Sequence, residues 1–260
     1  MRSVESFDGV PIAYDVQGAS NAAAGTIVFV HGWSCNRTHW RDQVAVFSDR
    51  YRVIAIDLAG HGESGLGRSN YSMPSFARDV EAVFDKERIS QAVLVGHSMG
   101  GMVILHAGRL LGDRVAGIVE ADTFKFLKLD PRNSDQADQM NRFNENFETV
   151  VVELVSSMFS AYTSESLRKF ITAGMLNVPK KVAIGAMRGM AEDEPLFELA
   201  ASLDIPMMTI NASERPFDAD SAREAGIDVR MMKTTGHFVM NEEPEAFNSH
   251  LEEALGQTFD

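Results

Sequence analysis

One serine of the chain has the neighbours that a catalytic nucleophile requires. Ser98 lies at the centre of the sequence Gly-His-Ser-Met-Gly, which occupies residues 96–100. The apolar stretch at 92–95 predicts a buried strand before it, and the pattern at 101–111 predicts a helix after it. The two glycines allow strand and helix to approach closely because they carry no Cβ atom. The sequence therefore predicts a tight strand-to-helix turn that presents the Ser98 hydroxyl.

Acyl transfer is the chemistry that a serine in such a turn supports. Its hydroxyl is a weak nucleophile at neutral pH, so a neighbouring base has to remove the proton as the oxygen attacks. The substrate oxygen then gains negative charge, and the amide of Met99, at the start of the predicted helix, is placed to donate to it. A serine that only caps the helix is the simpler interpretation, but it leaves the motifs in the rest of the chain unexplained.

Four predicted strands end in residues of the kind that form sites. Helical patterns separate these strands, which are short apolar runs at residues 26–30, 51–56, 92–95 and 115–121. This alternation is typical of a parallel sheet with helices on both faces. Ligands bind beyond the carboxyl ends of such strands, so we expect one edge of the sheet to receive His31-Gly32-Trp33, Asp57, Ser98 and Asp122. Of these, we interpret Asp57 as a residue that orders the glycine-rich loop after it.

The alternation of strands and helices stops between 123 and 202, where only helical patterns appear. We therefore divide the chain into a core of residues 1–122 and 203–260 and a helical cap of residues 123–202. Because the cap enters at a strand end, we expect it to lie over the site. Most of its many methionines and phenylalanines must face inwards, and a few are expected to line an apolar pocket, since methionine packs adaptably. Two strands, a loop with His237 and a helix at 244–255 complete the prediction.

Composition argues against several classes of protein. The 260 residues, of which 45 % are apolar, suffice for one large core with an insertion. A net charge of −13 argues against a nucleic-acid or anionic-lipid partner. The single cysteine, Cys35, permits no internal disulfide and fits a reducing compartment. No apolar run reaches membrane-spanning length and the first residues lack the apolar region of a signal peptide, so we expect a cytoplasmic protein without a membrane partner.

Four motifs together resemble those of the α/β-hydrolase family, and the resemblance covers nearly the whole chain. They are His-Gly-Trp at 31–33, Asp-Leu-Ala-Gly-His-Gly-Glu-Ser at 57–64, Gly-His-Ser-Met-Gly-Gly at 96–101 and Gly-His-Phe at 236–238. The resemblance implies a mostly parallel eight-stranded sheet flanked by helices, with a helical cap inserted after the sixth strand. It also implies a triad of serine, acid and histidine in that chain order.

The same resemblance gives roles to residues around the nucleophile. His237, in the loop after the last predicted strand, is similar in position to the base of the family. The residue after the His-Gly pair of the family supplies one oxyanion donor, which implies the backbone amide of Trp33 beside that of Met99. The chain has no metal motif of the His-Glu-x-x-His or Cys-x-x-Cys kind, and this chemistry needs no metal or other cofactor.

The acid departs from the usual pattern of the family. Most members carry it just after the seventh strand, in a turn similar to Gly-x-x-Asp. Here that turn reads Asn-Ala-Ser-Glu-Arg-Pro at 211–216, which puts Arg215 at the usual acid position. Asp122, at the end of the sixth strand, is our first choice, because relatives of haloalkane dehalogenase carry their acid there. Glu214 and Asp218 stay as alternatives, and Asp122 alternatively serves as a helix cap or a hinge residue of the cap.

The predicted function is that of a serine hydrolase acting on a small, largely apolar ester-like substrate. The substrate, an ester, thioester or lactone, would be cleaved through an acyl-enzyme on Ser98. A serine at this position argues against dehalogenase and epoxide hydrolase activity, because those relatives use an aspartate there. Two alternatives stay open: a carbon–carbon bond hydrolase of aromatic degradation, and a non-catalytic small-molecule receptor, which Arg215 at the usual acid position favours. No feature predicts the oligomeric state.

Overall fold

The described part of the chain forms one sheet of eight strands. The structure, a computed structural model, describes residues 1–18, 25–123 and 142–259. The strands are β1 (Arg2–Glu5), β2 (Pro11–Gln17), β3 (Thr26–Val30), β4 (Arg52–Ile56), β5 (Ala92–His97), β6 (Val115–Ala121), β7 (Met207–Ala212) and β8 (Asp228–Met232). Their order is β1-β2-β4-β3-β5-β6-β7-β8, with β2 antiparallel to β1 and β4 and all other neighbours parallel. The predicted mostly parallel eight-stranded sheet is confirmed.

Helices cover both faces of the sheet. They are α1 (Arg41–Phe47), α2 (Met73–Lys86), α3 (Met99–Leu111), α4 (Phe147–Met158), α5 (Glu165–Leu176), α6 (Lys180–Ala191), α7 (Leu196–Ala201), α8 (Ala219–Glu224), α9 (Val239–Glu242) and α10 (Pro244–Phe259). Two successive residues of β6 show that α3 and α10 cover opposite faces, because successive residues of a strand face opposite sides of the sheet. Ile118 lies against Gly108 of α3, whereas Gly117 lies against Thr258 of α10. Strands between two such layers have no solvent face, and every residue of β5 is buried.

The described residues between β6 and β7 include the helices α4 to α7, and no strand lies among them within residues 142–201. We call residues 142–201 the helical insert. The insert contacts the core beside the predicted site, where the indole Nε1 of Trp33 donates to the carbonyl oxygen of Ala183 in α6 at 2.8 Å. Residues 124–141 of the predicted cap lie outside the described residues, and the assignment of 123–202 as a cap stays a prediction.

The last helix is longer than the sequence predicts. It continues to Phe259 rather than ending at 255, because backbone hydrogen bonding extends past the last residue of the apolar pattern. Thr258 contributes to this turn by donating its hydroxyl to the carbonyl oxygen of Ala254 at 2.9 Å. Of the described helices, α10 included, none combines the length and the apolar character that crossing a membrane requires.

Candidate active site

Ser98 occupies the turn between β5 and α3. Its backbone adopts φ +54° and ψ −118°, a conformation that residues with side chains rarely adopt. The Ser98 side chain makes no capping hydrogen bond to α3. Its Oγ instead lies 2.8 Å from Nε2 of His237. The interpretation of Ser98 as a simple helix cap is therefore wrong, and the strained turn presents the hydroxyl to a histidine.

Close backbone contacts explain the glycines around Ser98. A Cβ atom on Gly96 would lie 2.4 Å from the carbonyl oxygen of Gly100, and one on Gly100 would lie 2.4 Å from the carbonyl oxygen of Val30. Both distances are far inside van der Waals contact, and backbone atoms in a packed interior cannot rotate away as a side chain can. The turn therefore requires glycine at both positions for β3, β5 and α3 to pack together.

Alanine in place of Gly96 is expected to destabilise the protein by about 2 kcal/mol or more, because the new methyl group overlaps a carbonyl oxygen. Urea titration of both proteins measures this difference in the free energy of unfolding. Gly108→Ala, in the same α3, is the matched control, since a Cβ there would meet only side-chain methyl groups, at 3.0 Å or more. Alanine also favours a helix over glycine, so we expect a smaller change there. Equal losses of stability in the two variants would contradict this explanation of the glycines in the turn at Ser98.

The structure brings three of the predicted residues into one hydrogen-bonded chain. His237 Nε2 lies 2.8 Å from Ser98 Oγ, and His237 Nδ1 lies 2.7 Å from Asp122 Oδ2. All three side chains are buried, Asp122 completely. An ionised carboxylate only accepts, so Nδ1 carries the ring proton and Nε2 offers its lone pair to the serine hydroxyl. This arrangement places a serine, a histidine and a carboxylate as acyl transfer requires of a nucleophile, a base and an orienting acid.

Asp122 reaches the histidine because β6 ends beside β7. Its backbone turns to φ +51° directly after the strand, and its amide donates to the carbonyl oxygen of Ile210 at 3.0 Å. Its Oδ1 accepts a hydrogen bond from the amide of Ala212 at 2.9 Å. The neighbouring strand thus holds one carboxylate oxygen and leaves Oδ2 directed at His237. Asp122 therefore faces His237 with Oδ2 while β7 holds Oδ1.

The two alternative acids lie elsewhere in the loop after β7. Glu214 is exposed to solvent. Asp218 caps α8, where its carboxylate accepts from the amide of Ser221 at 3.0 Å and from its hydroxyl at 2.7 Å. These hydrogen bonds to Ser221 hold the pKa of Asp218 below its ordinary value. Among the described contacts of His237, neither carboxylate is within hydrogen-bond distance.

The two residues predicted to supply the oxyanion donors, Trp33 and Met99, follow neighbouring strands of the sheet. Met99 is the first residue of α3, where a helix leaves its amide without an intrahelical acceptor. Trp33 follows β3, in a turn closed by the amide of Cys35 donating to the carbonyl oxygen of Gly32 at 3.1 Å. Since β3 and β5 are neighbours in the sheet, with Val30 opposite Gly96, both residues lie just beyond the ends of adjacent strands. The Trp33 indole is turned towards α6, where it donates to the insert.

His97, the residue before Ser98, supports the loop that carries His237. His97 lies against His237, with ring centroids 4.7 Å apart, and its Nε2 is 3.0 Å from the carbonyl oxygen of His237. Complete burial lowers the pKa of His97 well below its ordinary value, so the ring stays neutral and donates this hydrogen bond through Nε2–H. The sequence gives no sign of this role, because the two residues are far apart in the chain.

The helical insert also holds the histidine loop. The amide of His237 donates to the carbonyl oxygen of Met158, at the end of α4, at 2.7 Å. The preceding amide, that of Gly236, donates to Glu242 Oε2 at 2.9 Å, and the Thr163 hydroxyl donates to the same oxygen at 2.7 Å. A Cβ on Gly236 would lie 2.3 Å from the Met158 oxygen. The position of the candidate base thus depends on contacts with the insert.

Asp57 orders loops at the same sheet edge, as the sequence predicts. Its carboxylate accepts from the amide of Arg37 at 2.7 Å and from the amide of Glu63 at 2.9 Å, and it forms an ion pair with the Arg37 guanidinium. His31, after β3, accepts at Nε2 from the amide of Leu58 at 3.1 Å. These bonds join the loops after β3 and β4, and they keep Asp57 apart from the candidate triad.

Known proteins share both the sequence pattern and the fold. A sequence model of the Alpha/beta hydrolase family matches residues 27–250. The 3-oxoadipate enol-lactonase 1 of Acinetobacter baylyi is 27 % identical over 210 residues, 80 % of this chain and 77 % of that protein. A thermophilic esterase from Thermogutta terrifontis has a TM-score of 0.86 at 22 % identity, covering 100 % and 99 % of the two chains. An N-acyl homoserine lactone degrading enzyme has a TM-score of 0.80 at 27 % identity, covering 97 % and 99 %.

Proposed function

The chain belongs to the alpha/beta hydrolase family, and on that premise we propose that it is a serine hydrolase. Its substrate would be a small, largely apolar ester, thioester or lactone, cleaved through an acyl-enzyme on Ser98. The observation that carries the proposal is the hydrogen-bonded chain of Ser98, His237 and Asp122, with lengths of 2.8 and 2.7 Å. The enol-lactonase, esterase and lactone-degrading enzymes that resemble this chain agree with that substrate class.

Acylation begins with Ser98. As its Oγ attacks the carbonyl carbon of the substrate, His237 Nε2 takes the hydroxyl proton. The carbonyl electron pair moves onto oxygen, where the amides of Trp33 and Met99 donate to the new negative charge. When the carbonyl re-forms, the bond to the leaving alkoxide or thiolate breaks, and the imidazolium of His237 returns the proton to that group. The acyl group is then bound to Ser98 Oγ.

Water then hydrolyses the acyl-enzyme. In this half of the reaction water is the nucleophile and Ser98 Oγ is the leaving group. His237 removes a proton from the water as its oxygen attacks the acyl carbon, and the two amides again hold the oxyanion. Collapse breaks the bond to Ser98 Oγ, which recovers its proton from His237. The product is a carboxylic acid, and with a lactone the acid and the alcohol stay in one molecule. Asp122 keeps the imidazole in the correct tautomer and stabilises the imidazolium formed in each half.

Aromatic side chains near Trp33 and His237 favour an apolar substrate. The ring of Trp33 meets that of Phe143 edge to face, with centroids 6.1 Å apart, and Phe143 belongs to the helical insert. A second aromatic residue of the insert, Phe159, has its ring 5.8 Å from that of Phe238. Apolar walls of this kind bind acyl or alcohol groups and exclude water from the reaction. We accordingly propose that residues 123–202 act as a cap over the pocket.

A substrate panel tests the proposed function. We expect turnover of p-nitrophenyl esters, with a preference for one range of acyl-chain lengths that reflects the size of the pocket, and turnover of simple lactones. A dienol or diketone cleaved in preference to every ester and lactone would instead establish a carbon–carbon bond hydrolase. Tight binding of a small molecule without turnover of any substrate would favour the receptor alternative. That alternative depended on Arg215 replacing the acid, whereas Asp122 already contacts His237.

We expect kcat/KM to fall at acid pH, by about tenfold per pH unit below the midpoint, because His237 must be neutral to accept the serine proton. Burial lowers the pKa of four other histidines, to about 3 for His31, about 4 for His39, about 3 for His61 and well below its ordinary value for His97. These four histidines therefore stay neutral over the pH range in which kcat/KM is expected to fall, the acid limb of the profile. A pH–rate profile measures the limb.

Two remaining histidines provide the controls for that profile. His106 contacts Asp193 and His250 lies on α10, both outside the candidate site. Glutamine at either position is expected to leave the midpoint of the acid limb unchanged. A profile that stays flat through the histidine range, or a midpoint that moves in the His106→Gln variant, would count against His237 as the base.

A further inference from the structure

A cation stands beside the candidate acid. Arg215 lies in the loop after β7, and its Nε is 3.5 Å from Asp122 Oδ2, the same oxygen that His237 Nδ1 approaches to 2.7 Å. Its Nη1 lies 3.5 Å from the carbonyl oxygen of Ser157 in α4. The side chain of Arg215 is 28 % exposed, whereas Asp122 is fully buried. One guanidinium thus contacts both the carboxylate and the helical insert.

We propose that Arg215 is a positioning residue of the triad: its charge keeps Asp122 ionised, and its contacts fix the carboxylate towards His237. The inference rests on the proposed function, since it assigns to Arg215 an effect on the base of that reaction. The residue at the usual acid position of the family would then serve the same triad with the opposite charge.

A fully buried carboxylate such as that of Asp122 needs neighbouring groups that stabilise its charge. A carboxylate transferred from water into a protein interior binds a proton unless hydrogen bonds or a positive charge stabilise its ionised form. A protonated Asp122 would no longer stabilise the imidazolium of His237. The amide of Ala212 compensates Oδ1, and the guanidinium of Arg215 supplies the charge beside Oδ2. An opposite charge at this distance, 3.5 Å, favours the ionised form of a carboxylate.

Geometry gives Arg215 a second effect. Oδ1 of Asp122 is held by the amide of Ala212, and Oδ2 lies between His237 and Arg215, so the carboxylate cannot rotate without losing contacts. The Ser157 carbonyl holds the other end of the guanidinium. Residues that fix a catalytic group within a few tenths of an ångström preserve its rate contribution. Removal of Arg215 is therefore expected to make the Asp122 carboxylate more mobile as well as less fully ionised.

The same cation opposes protonation of the base. A positive charge near Asp122 offsets part of the attraction between that carboxylate and an imidazolium at His237. Removal of Arg215 is expected to move the acid limb of the rate profile to higher pH. Other groups that face His237 are His97, which is neutral, and the Glu242 carboxylate on the Gly236 amide. Neither changes in an Arg215 variant.

Four proteins test the proposal: the unsubstituted chain, Arg215→Gln, Arg215→Lys and Arg223→Gln. Arg223 is the matched control, because it is an exposed arginine of α8 paired with Asp220, and its loss changes the net charge equally. The readouts are kcat/KM for p-nitrophenyl acetate and the rate constant of Ser98 labelling by a fluorophosphonate, each from about pH 5 to 9. Ester turnover requires both acylation and deacylation, whereas labelling requires only the attack by Ser98.

Arg215→Gln is expected to lower both rate constants about tenfold at neutral pH and to raise the midpoint of the acid limb by about half to one pH unit. Arg215→Lys, which keeps the charge, should restore the midpoint to within about 0.3 pH units and part of the rate. Arg223→Gln should match the unsubstituted chain. An unmoved midpoint in Arg215→Gln would overturn the proposal whatever its rate, as would a lysine variant no better than glutamine. If the folded, unsubstituted chain showed neither turnover nor labelling, the proposed function itself would fail.

Discussion

Alanine in place of Ser98 is expected to lower kcat/KM for a p-nitrophenyl ester by about 10⁴-fold or more, since no acyl-enzyme can form. The base and the oxyanion donors would stay in place, so a small residual rate above that of water is expected. Steady-state kinetics on the preferred ester measures the loss. KM is expected to change little, because the hydroxyl contributes to the reaction far more than to ground-state binding.

Ser202→Ala is the control for the loss of a serine hydroxyl. Ser202 follows α7, and its hydroxyl donates only to the carbonyl oxygen of Leu199 at 2.6 Å, remote from the candidate site. We expect its kcat/KM to stay within about twofold of that of the unsubstituted chain, as for most substitutions away from a site. Circular dichroism of both variants checks that they fold. A folded Ser98→Ala variant that keeps most of its turnover would show that another group is the nucleophile.

Asparagine in place of Asp122 is expected to lower kcat by about 10³- to 10⁴-fold with little change in structure. The amide has nearly the shape of the carboxylate, so the contact with Ala212 can persist. It carries no charge to stabilise the imidazolium of His237, and its NH₂ group presents a donor to Nδ1, which favours the wrong tautomer of the ring. Single-turnover and steady-state kinetics on the same ester measure the loss.

The other two carboxylates supply the comparison that decides the acid. Glu214→Gln and Asp218→Asn are each expected to keep kcat within about threefold, because one is exposed and the other caps α8. Asparagine is itself a good N-cap, so α8 should stay intact. A loss in either variant as large as that in Asp122→Asn would mean that the acid lies after β7, and the assignment of Asp122 would be wrong.

The fold was predictable because local signals repeated along the chain. Apolar runs alternated with helical patterns, and each run ended in polar or glycine residues, which indicated a parallel sheet and its functional edge. The turn at Ser98 was predictable because its close packing requires glycine at 96 and 100, and these glycines are visible in the local sequence. Short motifs identified Ser98 and His237 as candidates. In the structure a hydrogen bond of 2.8 Å joins the two side chains.

Contacts between distant segments set the limit of that prediction. Asp122 and Ala212 are 90 residues apart, and only the pairing of β6 with β7 shows that the acid faces His237. The position of Arg215 beside Asp122 depends on how the loop after β7 folds, which no short pattern expresses. Asp218 is a different case: Asp-Ala-Asp-Ser is a typical helix start, and that signal could have identified its capping role.

The helical insert connects the chemistry to the rest of the molecule. It accepts a hydrogen bond from the amide of His237 at Met158, and one from the Trp33 indole at Ala183. The candidate base His237 and the residue Trp33, proposed as an oxyanion donor, are therefore both held by residues that lie between β6 and β7 in the chain. These two hydrogen bonds explain why the helical insert, which carries no candidate catalytic residue, affects the geometry of the site.

Labelling by a fluorophosphonate, located by mass spectrometry, tests the central claim most directly. An activated Ser98 Oγ would form a bond to phosphorus and expel fluoride, while His237 takes the hydroxyl proton. We predict one adduct per chain, on the peptide that contains Ser98, and labelling slowed by about 10³-fold or more in a folded His237→Ala variant. A folded, unsubstituted protein that gains no adduct, or gains it on another residue, would contradict the account.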